Sequence, residues 1–175
     1  MRRLLSKLAH DCRGNAAAEM ALVMPLLLIL LFGSAELGNF FMNEHTLVKA
    51  VRDGARFAAR QNFSNYTACS GEPGGTVVAD TKNVVKRGYL TGGGSILTPN
   101  ISDNNIDVRT ECLASAGGQT MSGIYNGRIV GGVASGAQIV RVSASVPYRS
   151  LFGAMGFTNV GYNLNAASEA AVSGL

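Results

Sequence analysis

Residues 20–35 read MALVMPLLLILLFGSA, sixteen positions without a charge, and the apolar run reaches back to Asn15 with Glu19 as its one interruption. A helix needs ~20 apolar residues to cross the hydrocarbon core of a bilayer, so the run predicts one membrane-spanning helix over residues 15–36. From residue 37 to 61 the apolar positions thin out to a helical period. Leu47, Val48, Val51, Ala55 and Ala58 fall on one face at spacings of three and four, and Lys49, Arg52, Arg56 and Arg60 form the adjoining stripe. No proline interrupts residues 37–61, so span and extension read as one helix of roughly 45 residues, about 70 Å at 1.5 Å per residue, with Pro25 as the place where it would kink.

After residue 61 the pattern changes again. NFSNYTACSGEPGG, residues 62–75, has the composition of a loop. Thr76 is placed to cap a helix from Val77 to about Tyr89, with Val77, Val84, Val85 and Leu90 near its apolar side. Ile106 to Cys112 alternates apolar and polar residues, and Gln138 to Tyr148 does so more clearly, as half-buried strands do. A weaker segment, Val160 to Val172, adds an expected edge strand. The glycine clusters at 92–94, 117–118 and 131–132 lack the three-residue period of collagen and read as loops. The expected fold is α+β, with helices on one face of a small antiparallel sheet, in a domain covering residues 62–175.

Charge sharpens the topology. The net charge is +4, but Arg2, Arg3, Lys7 and Arg13 stand against Asp11 ahead of Gly14, so the excess sits at the N-terminus and little basic footprint for nucleic acid remains beyond it. A basic flank before a span is cytoplasmic by the positive-inside rule, which sends everything after about Leu37 to the other side. Cys12, Cys69 and Cys112 show no CxxC spacing and no neighbouring histidine that would complete a zinc site. If residues 1–14 are lost as a leader, Cys69 and Cys112 remain as a pair in the part expected outside the cytoplasm. A bridge there would close about 44 residues and add roughly 3 to 4 kcal/mol by loop entropy; two buried thiols are the alternative.

Glu19 is the residue that most needs a reason. An ionisable group inside a spanning segment costs about 2.5 to 3.5 kcal/mol at the bilayer centre, and less near an edge. Either it reaches into the headgroups at the membrane boundary, or a positive charge from another subunit meets it in a packed helical bundle and fixes axial register.

Gly14, then Asn15-Ala16-Ala17-Ala18, then Glu19 resembles the leader junction of type IV pilin-like proteins, in which a membrane aspartic peptidase cuts after the glycine and the glutamate becomes the fifth residue of the mature chain. The longer string RGNAAAEMALVMPLLLILLFGSAELGNFF, Arg13 to Phe41, is similar to the TadE-like family of tight-adherence (Tad) pseudopilins and minor pilins, as is RDGARFAAR, Arg52 to Arg60. Members usually carry an aromatic residue after the glutamate, where this chain has Met20. The resemblance implies a leader of residues 1–14, processing between Gly14 and Asn15, and a pilin-like fold. It also implies that the new amine of Asn15 in one subunit pairs with Glu19 of its neighbour. The implied partners are other pilins, the prepilin peptidase and the assembly platform, at a cytoplasmic (inner) membrane with the head outside. Two other outcomes stay open. Gly33-Ser34-Ala35 also suits signal-peptidase cleavage after Ala35, releasing a soluble protein, and the helix could serve only to tether an extracytoplasmic ligand-binding domain.

Nothing in the sequence points to catalysis or to a cofactor. His10 leaves with the leader, and His45 has no evident nucleophile or base beside it. There is no GxSxG, HExxH, P-loop or EF-hand pattern, and residues 131–136 lack the spacing and the lysine of a phosphate cradle.

Overall fold

The computed structural model describes residues 15–91, 93–113, 115–116, 119–120, 129–130, 133–134, 137–155 and 161–174. The expected leader, Gly14, and the glycine clusters other than Gly93 and Gly94 lie outside them. The chain divides into two units, one running to Asn39 and the other starting at Phe40. Helix α1 (Asn15–Ala59) contributes to both and continues through Pro25.

In the first unit positions 16–35 of α1 are all exposed, and Leu22 is 81% exposed. This half of the helix is long and apolar enough to cross a membrane.

In the second unit the remainder of α1 has a buried stripe. Leu47, Ala50, Val51, Ala55 and Ala58 are buried, whereas Lys49, Arg52, Arg56 and Arg60 lie on the exposed side. The helix ends at Ala59, two residues before the expected limit, because its last carbonyls find other donors. Gln61 Nε2 donates to Phe57 O, the Tyr66 hydroxyl donates to Ala58 O, and Ser173 N donates to Ala59 O at 2.8 Å. Those bonds satisfy acceptors that a helix terminus leaves open.

Helix α2 (Val77–Arg87) buries Val77, Thr81 and Val85. Thr76 precedes it without the expected side-chain cap. The helix stops two residues earlier than the sequence suggests, at Gly88, whose left-handed φ of 74° lets its N–H reach Val84 O.

Strand β1 (Ile106–Leu113) is followed by two short hairpins, β2 (Ser115–Ala116) with β3 (Gln119–Thr120) and β4 (Ile129–Val130) with β5 (Val133–Ala134). Then come β6 (Ala137–Pro147) and β7 (Asn163–Ala171). The main sheet is antiparallel in the order β1-β6-β7, with Val142 opposite Val108 on one side and Ser168 on the other. Alternate residues Val140, Val142, Ala144 and Val146 face a core shared with Val108, Leu164, Leu47 and Val51. The opposite face carries Arg141, Ser143 and Ser145, so the two-residue period of β6 sets which side the helix covers. The arrangement is α+β and pilin-like, an apolar N-terminal helix followed by a small antiparallel sheet and a second helix.

Candidate assembly surface

The residues singled out by sequence fall at three places. Glu19 lies in the first turns of α1 and is exposed, surrounded along the helix by exposed apolar side chains from Met20 to Leu31. Asn15 is the first residue of α1, and Gly14 lies outside the described residues. The Glu19 carboxylate lies beyond the first turn of α1, so its charge needs water, headgroups or a cation as company. His45 is an exposed residue further along α1.

The third place is on the sheet. Cys69 and Cys112 are joined, with their Cα atoms 4.9 Å apart, tying the loop after α1 to β1. Two residues on, the Thr110 N–H donates to Gly71 O at 2.8 Å. The same loop is anchored at its start by Tyr66, which is buried; Gln138 Nε2 donates to its carbonyl at 2.5 Å. Desolvation pushes the Tyr66 phenol up to about 12, so it remains a hydrogen-bond donor at any physiological pH.

The open face of the sheet has a shallow hollow of about 560 Å³ at Asn105, Asp107, Ser143 and Asn165. The Asp107 carboxylate there accepts from Arg109 Nε at 2.6 Å. On the neighbouring row Arg141 lies 3.6 Å from Glu169 and 3.9 Å from Glu111, exposed pairs that add little stability. Among the described residues no group of histidine, cysteine, aspartate and glutamate side chains could hold a metal ion.

One position escaped sequence reasoning. Gly54 sits mid-helix, where glycine costs about 1 kcal/mol relative to alanine. A Cβ at that point would run into Val85 Cγ2 of α2 and lie 3.5 Å from Thr81 Cγ2. Its absence lets α1 and α2 approach closely. A lone glycine inside the strongly periodic stretch around Arg52 to Arg60 was the available signal.

No curated protein and no solved structure matches the chain. The family profile described as TadE-like protein matches residues 14–56, about a quarter of the sequence, which takes in α1 from its start to Arg56. Residues 14–56 thus match the TadE-like family, which the string from Arg13 to Phe41 also resembles.

Proposed function

We propose that the chain is a minor pilin or pseudopilin of a Tad-type pilus or secretion system, cut by a prepilin peptidase between Gly14 and Asn15 and acting as a structural or assembly component without catalysis. The observation that carries this reading is the coincidence of the TadE-like match with a largely apolar helical segment, residues 16–35, whose positions are all exposed. Lipid covers them before assembly, with the basic N-terminus in the cytoplasm and the disulfide-linked head outside, and neighbouring pilin helices cover them in the fibre. In that bundle Glu19 meets the amine released at Asn15 of the adjacent subunit, a charge-assisted contact strengthened by a low-dielectric setting. Its partners are then other pilins, the peptidase and the assembly platform.

Glu19→Ala tests the reading, with Glu19→Gln as the isosteric companion. Both variants should insert into the membrane normally and fall at least tenfold in fibre incorporation, scored by immunoblot of sheared pili against the membrane fraction. Wild-type incorporation of both would refute the role given to Glu19.

A further inference from the structure

Within the second unit, α1 and the sheet meet at both ends of the head. At one end Ser173 N donates to Ala59 O and Val172 N to Gln138 O, both at 2.8 Å. At the other end the Phe40 and Tyr148 rings meet edge to face with their centroids 5.1 Å apart. There Tyr148 N donates to Tyr162 O at 2.9 Å, one step beyond the last ladder pair of Pro147 and Asn163. A small cavity at the same end is lined by Asn43, Thr98, Pro99, Tyr148, Arg149 and Leu164, so the loop after α2 arrives there too.

Large apolar side chains are exposed around this end. Phe41, Met42, Ile96, Leu97, Leu151 and Tyr162 are all exposed, and each lies within two positions of Phe40 or of a residue lining that cavity. Residues 37–43, 88–102 and 147–162, which carry them, contain one charged residue between them, the exposed Arg149. An apolar set of this size with a lone cation marks a contact surface and not ordinary solvated surface. Phe40 stands four positions beyond Glu36, the first charge after the apolar run, a rise of about 6 Å along α1. The polar layer of a bilayer adds roughly 5–7 Å on each side of the hydrocarbon core.

We infer that this end of the head rests on the bilayer leaflet from which α1 emerges, with Phe41, Ile96, Leu97, Leu151 and Tyr162 seated among the headgroups and Arg149 on a lipid phosphate. Position selects the occupant, because headgroups lie at the level of Phe40 once the helix is inserted. Charge agrees with it: a guanidinium suits phosphate, and the three segments hold no carboxylate to repel an anionic surface. Side chains with an apolar body, some with a polar tip, are those that settle at a membrane interface. This contact presupposes the inserted helix of the proposed function and adds a hold on lipid that extraction of the subunit into a fibre has to break.

The chain contains no tryptophan, so a single one introduced by substitution reports its own surroundings. Full chains carrying Ile96→Trp, Leu151→Trp, Leu113→Trp or Leu28→Trp are reconstituted at low protein density in vesicles of phosphatidylcholine and phosphatidylglycerol. The phosphatidylcholine is brominated near the top of its acyl chains, where bromine quenches indole on contact. Leu113 is exposed but lies opposite Ala137, toward the Ala59 end, and Leu28 lies in the span. Ile96→Trp and Leu151→Trp should each be quenched at least twofold more than Leu113→Trp, and adding Arg149→Glu to the Leu151→Trp chain should lower its quenching at least twofold. Formation of the Cys69–Cys112 bridge, read from gel mobility with and without reductant, checks that each head is folded. Quenching at Leu28 with Ile96 and Leu151 quenched no more than Leu113 would overturn the head contact and leave the inserted helix standing. Absence of quenching at Leu28 would overturn both. A blue-shifted emission at Ile96 and Leu151 without bromine quenching would put protein on this face instead of lipid, and would equally overturn the inference.

Discussion

Leu28 and Leu47 are carried by the same helix, yet Leu28 is 43% exposed and Leu47 is fully buried. Between them the helix passes from a segment, residues 20–35, that is uncharged and exposed on every side to one in which apolar residues keep to a single stripe. The second pattern is what packing against a sheet requires. The first, apolar all round, is stable only in a medium that accepts every face, either lipid or a bundle of like helices. One helix is therefore written for two surroundings, and the TadE-like match covers most of both.

Matched substitutions sharpen this contrast. Leu47→Ala removes buried volume next to β6 and should lower the head's unfolding free energy by about 2 to 5 kcal/mol, whereas Leu28→Ala should leave it unchanged. Denaturant titration of the full chain in nanodiscs, followed by near-ultraviolet circular dichroism, measures both. A glycine pair should separate the halves more finely. Gly54→Ala gains helix propensity but collides with Val85, for a net loss of about 1 to 2 kcal/mol. Gly38→Ala meets nothing within 4 Å and should be neutral or slightly stabilising in the same titration. The smallest effect concerns Tyr66, whose hydroxyl donates to Ala58 O at the packed end of the helix. Its phenol is raised in the folded state, so the neutral form is preferred on folding. Stability from this group is complete below pH ~10 and is lost as pH rises toward about 12. Tyr66→Phe should remove that part of the alkaline slope.

Much of this was legible in the residues. The uncharged run from Met20 to Ala35 and the three-and-four spacing of Leu47, Val51, Ala55 and Ala58 specify α1, and alternation specifies β1 and β6, because periodicity follows directly from which face is buried. β7 was faint: Asn163 to Ala171 has little strand propensity of its own and is held by its neighbour β6. Thr76 has the right identity for a cap, but its αR backbone denies the hydroxyl the geometry. At the candidate site Glu19 is conspicuous in sequence because charge is costly in an apolar run. Its partner is not legible from one chain, because the proposal places that partner on another subunit. The close approach at Gly54 depends on where α2 crosses, a tertiary fact that no local pattern encodes.

The proposed role has residues 15–56 act as a processed pilin segment, and the N-terminal residue of the mature chain tests it most directly. Mass spectrometry of the membrane-bound protein, from cells with and without their prepilin peptidase, should find Asn15 at the N-terminus only when the peptidase is present. An unprocessed Met1 in both strains, or a start at Glu36, would contradict the account.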